Sequence, residues 1–270
     1  EEFAQRVIDS RRPVGLMTAV LDNPAQYGRV LRDSDGDVVG IVEYADASPK
    51  QRRIDEVNAG FYLARNDFLL EHLPTIVEGE AENAQQEYYL TDLIEMACRE
   101  EGVFGWKCPD PHLIRGVNTR VDLAEVNQFA QQRINRRWME QGVTMLDPSS
   151  VYIEPDVELE ADVELHPGVH LRGDTRIGAG TLVEDGAVIR DCELAGDVHV
   201  KANCYLEEAT VDSGTALGPS AHLRPGADIG KNCKVGNYVE VKKATLEDGV
   251  KAGHLSYLGD AHIGRGTNIG

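Results

Sequence analysis

From Val151 onward an aliphatic residue returns every six positions. Ile153, Leu159, Leu165, Leu171, Ile177, Val183 and Ile189 lie six apart without a break. After one five-residue step the series resumes at Leu194, Val200 and Leu206, and after another at Val211, Leu217, Leu223, Ile229, Val235 and Val241. Two more short steps carry it through Leu246, Ala252 and Leu258 to Ile263 and Ile269. Two places before each of the first seven stands a small or β-branched residue: Val151, Val157, Val163, Val169, Thr175, Thr181 and Ala187. A period of six fits neither the 3.6-residue helix nor the alternating strand. It predicts a parallel β-helix, in which short strands turn a corner every six residues and about three hexads close one coil. The aliphatic residue of each hexad points into the narrow interior, and Gly, Asn and Asp in "IGAG", "LGPS" and "IGKN" supply the turns.

The first half has a different texture. "PVGLMTAVL" reads as a buried strand, and "YGRVLRDSDGDVVGIVEY" as two strands joined at an Asp-Gly turn. "NDFLLEHLPTI" and "EYYLTDLIEMACREEG" space their apolar residues as helices do, and "VFGWKC" reads as a further strand. Between the halves, "DLAEVNQFAQQRINRRW" puts Leu123, Val126, Ala130, Ile134 and Trp138 near one helical face, with Asp122 and Glu125 spaced as a capping box. The expected organisation is an α/β domain over 1–121, a linker helix over 122–141 and a β-helix over 142–270.

Composition narrows the function. With 27 Lys and Arg against 46 Asp and Glu, the net charge is −19, which argues against nucleic-acid binding. No apolar run approaches the roughly 20 residues of a membrane helix, and the N-terminus has no signal-peptide pattern. The five cysteines form no CxxC pair, so a zinc or disulfide framework is not expected, and a reducing cytoplasm fits best.

The repeat arithmetic also places chemistry. Between Leu223 and Val241 every step is six, so Arg224 and Lys242 stand one coil, about 4.8 Å, apart and point outward on one face. Two readings are open: a solvated pair of repelling cations, or a clamp whose repulsion a phosphate dianion would convert into attraction. The same counting stacks Tyr257 over Glu240. His254, close by, is either a surface histidine or a general base. His166 and His170 have a possible metal-ligand spacing, but no third histidine has a matching coil position.

These residues lie in motifs that resemble a known family. "HLRPGADIG", "VGNYVEVKKA", "KAGHLSYLGDAHIG" and "NIG" closely resemble the acetyltransferase half of the bacterial bifunctional N-acetylglucosamine-1-phosphate uridyltransferase/glucosamine-1-phosphate N-acetyltransferases. "YGRV", "GIVEYADAS", "IDEVNAGFY", "EYYLTDLI" and "RGVNTR" resemble their uridyltransferase domain, in the same order. The resemblance implies a Rossmann-like α/β nucleotidyltransferase domain, here partial, followed by a left-handed parallel β-helix.

It also implies roles. His254 would be the general base that deprotonates the amine of glucosamine 1-phosphate as it attacks acetyl-CoA. Arg224 and Lys242 would hold the sugar phosphate, Tyr257 and Asn268 would orient the sugar and its amine, and Glu240 would hold the His254 imidazole in its tautomer. In the other domain, Gly28 of the Tyr27-Gly28-Arg29 turn, Glu43 and Asn58 would contact the sugar. Asn118 would touch the nucleotide and ligate Mg²⁺ in uridylyl transfer from UTP. Ala25-Gln26 and Ala59 depart from the family's usual residues and bear on sugar selectivity. The family's nucleotide-phosphate loop and its acetyl-CoA coils have no counterpart here. The expectation is therefore a fragment with no uridylyltransferase and little or no acetyltransferase activity by itself. The implied partners are sugar phosphates, UTP, acetyl-CoA and two further copies in a homotrimer, without nucleic acid or membrane. The competing readings are a sugar-1-phosphate nucleotidyltransferase whose β-helix is only architectural, and a non-enzymatic regulatory subunit of the same build.

Overall fold

The computed structural model describes residues 2–78, 87–117 and 119–270. Asn118 lies outside them. The chain divides into two compact units, Glu1–Asp122 and Leu123–Gly270.

The first unit is built on a five-stranded mixed sheet. Helix α1 (Glu2–Ser10) leads into β1 (Val14–Val20), followed by the hairpin of β2 (Arg29–Arg32) and β3 (Val38–Val42) and by β4 (Glu56–Ala64). Helices α2 (Asn66–Glu78) and α3 (Asp92–Arg99) precede β5 (Val103–Lys107). The strand order is β3-β2-β4-β1-β5, with β1 parallel to β5 and antiparallel to β4. The two hairpin strands and the two helices fall where the sequence places them. The core joins Val14, Leu16, Val30, Val38 and Ile41 of the sheet to Phe68, Leu93, Ile94 and Ala97 of the helices. A Cβ at Gly15 would overlap Val7, so α1 lies directly on β1 at that glycine.

Helix α4 (Arg120–Glu140) carries the chain into the second unit. Its capping box sits three residues earlier than expected. Thr119 Oγ1 accepts the Asp122 amide at 3.1 Å, and Asp122 Oδ2 accepts the Thr119 amide at 2.7 Å. Asp122 is thus the returning carboxylate of the box and Thr119 its first member. Asn135 of this helix is buried and donates to the carbonyls of Pro148 and Val151 at 2.7 and 2.8 Å, fastening the helix to the first coil.

The second unit is a left-handed parallel β-helix with three flat faces. The first face stacks seven strands from Tyr152–Ile153 to Tyr257–Gly259, and the second seven from Glu158–Leu159 to His262–Ile263. The third stacks eight, from Thr144–Met145 to Asn268–Ile269. Every aliphatic residue of the six-residue series from Ile153 to Ala252 is buried, most of them fully. Threonines two places ahead make a second use of the interior. Thr175, Thr181 and Thr215 accept the amides of Cys192, Val198 and Cys233 one coil on, at 3.4, 3.2 and 2.9 Å. The thiols of Cys192 and Cys204 are interior packing groups, and burial pushes both up to about 11.

Candidate functional site

On the β-helix, register does the positioning. Leu223, Val241 and Leu258 point inward in successive coils, so their neighbours on either side point out from the first face. His222 pairs with Glu240 and Glu240 with Tyr257, while Lys242 pairs with Gly259. Arg224 follows Leu223 and stands under Lys242, its amide donating to the Val241 carbonyl at 2.8 Å. A Cβ at Gly259 would collide with the phenol of Tyr257. The ring therefore leans along its own strand toward the point above Lys242, and only glycine leaves it room.

Electrostatics at this end differ from the sequence expectation in one respect. Arg224 Nη1 donates to Glu240 Oε1 at 2.7 Å, and this bond raises the guanidinium above its ordinary value. The repulsion between stacked cations is thus relieved by a carboxylate of the same face. Among the described residues Lys242 has no ion-pair partner. Glu240 therefore sits on Arg224, and its contact with His254 is not present. His254 lies on the third face opposite Asn237 of the coil below, where a corner of the coil separates it from Glu240.

That corner carries a feature that hexad counting passes over. Up one edge of the β-helix the left-handed corner residue is Gly168, then Gly186, Asn203, Ser220, Tyr238 and Leu255. The first four tolerate or suit a positive φ, but Tyr238 (φ 53°) and Leu255 (φ 50°) are bulky and strained there. Both are largely exposed, at 64% and 74%, and Leu255 directly follows His254. Strained corners of this kind collect where a side chain must be aimed. His254 is exposed, and its backbone carbonyl accepts from Ser256 Oγ at 2.9 Å. Asn268 stands over Lys251 on the third face. The fold thus gathers Arg224, Glu240, Lys242 and Tyr257 on one face, with His254 at the adjoining corner and Asn268 on the next face.

The two other histidines of interest are occupied separately. His166 lies 3.0 Å from Glu164 and 3.3 Å from Asp185; burial opposes its charge, and the two carboxylates outweigh it and raise the imidazole. His170 stacks on Tyr152.

In the first unit Gly28, Glu43 and Asn58 come together. A Cβ at Gly28 would stand 3.2 Å from both Glu43 carboxylate oxygens, and the Asn58 amide donates to the Gly28 carbonyl at 2.9 Å. Glu43 is pushed up by burial, with Asp46 and Asp92 adding to it and a 3.4 Å hydrogen bond from Thr91 opposing. The Asn58 side chain donates through Nδ2 to the Tyr62 hydroxyl at 2.6 Å and accepts the Gly60 amide on Oδ1 at 2.9 Å.

Arg29 is the residue the sequence reading left unassigned here, although "YGR" displays it. It is 2% exposed and, among the described residues, has no carboxylate partner. Its guanidinium donates to the carbonyls of Tyr27, Ala25 (3.0 Å), Pro24 and Arg52 (both 3.5 Å). These bonds fix the turn that presents Gly28 and hold Ala25 at a φ of 40°, a left-handed conformation that alanine resists. Tyr27 Oη accepts the Gly116 amide at 3.1 Å, joining this turn to the segment before residue 118.

Among the described residues no three His, Cys, Asp or Glu side chains converge to hold a metal ion. Asn118, to which the resemblance assigns Mg²⁺, lies outside these residues.

The fold defines a class by architecture: a mixed-sheet α/β unit followed by a left-handed β-helix of hexapeptide repeats. No family model matches the chain. Curated relatives do. It is 46% identical over 258 residues to the bifunctional protein GlmU of Trichlorobacter lovleyi, covering 95% of this chain and 55% of that protein. With the bifunctional protein GlmU of Acetivibrio thermocellus the identity is 41% over 256 residues, covering 94% and 55%. With that of Pseudomonas fluorescens it is 45% over 272 residues, covering 100% and 59%. Along nearly its whole length the chain is similar to these bifunctional GlmU proteins. It spans about half the length of the curated relatives it matches.

Proposed function

We propose that this chain carries parts of two active sites that together make UDP-N-acetylglucosamine. On the β-helix the amine of glucosamine 1-phosphate attacks the thioester carbonyl of acetyl-CoA. A C–N bond forms, the C–S bond breaks, and His254 takes the amine proton and passes it to the departing CoA thiolate. Arg224 and Lys242 hold the phosphate, Glu240 keeps Arg224 in place for it, and Tyr257 and Asn268 orient the sugar. In the α/β unit the Gly28 turn, Glu43 and Asn58 receive the N-acetylated sugar phosphate for uridylyl transfer from UTP. Asn118 is assigned to the nucleotide and to Mg²⁺, which when bound would neutralise charge on the phosphates.

The observation that carries the reading is the single face on which Arg224, Lys242 and Tyr257 converge beside the strained corner of His254. Exposed Tyr238 and Leu255 at that corner, with exposed Tyr257 on the face beside it, support assembly as a homotrimer that covers them. The proposed location is the cytoplasm; among the described residues no helix is long and apolar enough to cross a membrane. The test is His254→Ala in the full-length protein, followed by separate assays of the two half-reactions. Acetyl transfer falls by at least a hundredfold and uridylyl transfer is unchanged. Unaltered acetyl transfer would assign the β-helix a purely architectural role.

A further inference from the structure

The first face of the β-helix holds a second stacked cation pair that the proposed chemistry does not use. Down this face, the residue following each inward side chain reads Glu154, Arg172, Arg190, Glu207, Arg224, Lys242. One acid followed by two cations thus occurs twice. The strands His170–Arg172 and Val188–Arg190 pair in register, so Arg172 lies against Arg190 one coil away, about 4.8 Å, with both side chains outward.

The lower pair is the less neutralised of the two. Arg224 is held by Glu240 at 2.7 Å, Arg176 by Glu158 at 3.1 Å and Arg265 by Asp248 at 3.1 Å. Arg190 has only a 3.8 Å approach to Glu207. Arg172 has no ion-pair partner among the described residues. Glu154, directly below it, turns a carboxylate oxygen to the Gly173 amide at 2.8 Å instead. In a chain of net charge −19, stacking two arginines without a carboxylate between them is unfavourable unless something else supplies the negative charge. Beside Arg172, His170 lies flat on Tyr152, ring centres 4.9 Å apart and planes 6° apart, so an aromatic platform adjoins the cations.

We propose that Arg172 and Arg190 form a second anion site, separate from the Arg224–Lys242 pair, that takes a phosphate dianion, free or carried on a nucleotide. Two guanidinium forks one strand spacing apart can each donate to different oxygens of one phosphate. The dianion then neutralises both. The platform of Tyr152 and His170 is placed to receive an aromatic base attached to that phosphate.

The experiment is equilibrium dialysis of labelled inorganic phosphate against the Lys242→Gln chain, with chloride as the ionic-strength control. This background disables the upper pair. Saturable binding of one phosphate per chain is expected, weakened at least tenfold by a further Arg172→Gln and equally by Arg190→Gln. Arg172→Lys, which keeps the charge and loses the fork, should fall between, and far-UV circular dichroism checks that each variant is folded. Absence of saturable phosphate binding in the Lys242→Gln chain overturns the proposal, as does an affinity unchanged by Arg172→Gln. A parallel titration with uridine 5′-monophosphate separates the sources. Tenfold tighter binding than inorganic phosphate assigns the site to a nucleotide, and equal binding assigns it to free phosphate.

Discussion

The two units treat buried polarity in opposite ways. In the α/β unit Arg29 and Glu56 are charged and almost wholly enclosed. In the coils of the β-helix the buried polar side chains are threonines, and every ion pair lies outside. The difference follows from how each fold sets geometry. A repeat positions a side chain by register alone, since each coil copies the one below. An irregular turn such as 24–28 has no such template, and a buried cation bonded to four carbonyls takes its place. One Arg–carboxylate pair in each unit makes the contrast quantitative: Arg32–Glu56 at 2.6 Å with the glutamate side chain 9% exposed, and Arg224–Glu240 at 2.7 Å with it 36% exposed.

Gly236→Ala should break the repeat most severely. Its Cβ would overlap the backbone carbonyl of Gly253 in the next coil, and backbone there cannot yield cheaply. Chemical denaturation should show a loss of about 3 kcal/mol or more. Gly253→Ala, whose Cβ meets nothing within 4 Å, should stay within about 0.5 kcal/mol of the parent. Equal losses would mean that glycine's backbone freedom, rather than coil-to-coil approach, decides these positions.

Glu56→Ala should destabilise the α/β unit by about 3 kcal/mol, at the low end for a broken buried pair because Arg32 is a quarter exposed. Burial alone would raise the Glu56 carboxyl. Hydrogen bonds from Arg32 and Thr18, with the charges of Arg32 and Lys107, outweigh it and hold it below the ordinary range. Its contribution is therefore complete above the unfolded carboxylate value, near about pH 4.3, and is lost as pH falls through the lower folded value. Urea midpoints measured downward from pH 6 should drop more steeply in the parent than in the variant.

Thr119→Ala removes one half of the α4 capping box and should cost about 1 kcal/mol, read from the same denaturation curves. Glu240→Gln, like Gly253→Ala, should stay within about 0.5 kcal/mol of the parent, because its pair is exposed to water. Its signature should be kinetic. In the full-length protein KM for glucosamine 1-phosphate should rise with kcat within about twofold, since Glu240 holds Arg224. A fall in kcat at constant KM would return Glu240 to the imidazole.

Much of the β-helix was readable because one column of aliphatic residues reports directly on the interior. The stacking of Tyr257 over Glu240 came from counting alone. What counting cannot show is the direction a side chain takes once outside, which is why the Glu240–Arg224 bond was not foreseen. Nor does it reveal that Tyr238 and Leu255 occupy left-handed corners, since their residue types argue against it. In the first half β4 has no periodic signal in the sequence. Asn58 and Gly60 interrupt it and Phe61 is exposed, so no alternation marks it. The capping box is hard to place from sequence because its returning carboxylate is an aspartate, Asp122, where glutamate is the usual signal. The convergence of Gly28, Glu43 and Asn58 rests on pairing between distant strands, which motif order suggested and periodicity could not.

The Tyr27 hydroxyl on the Gly116 amide closes a span of 89 positions with one hydrogen bond. It makes the turn before Gly28 and the segment 115–117 a linked pair. Any ligand that binds more tightly when the turn is set must also favour the set form of that segment, and by thermodynamic reciprocity whatever orders the segment tightens the turn's ligand by the same factor. Ligands held at the two ends of that bond would then promote each other's binding.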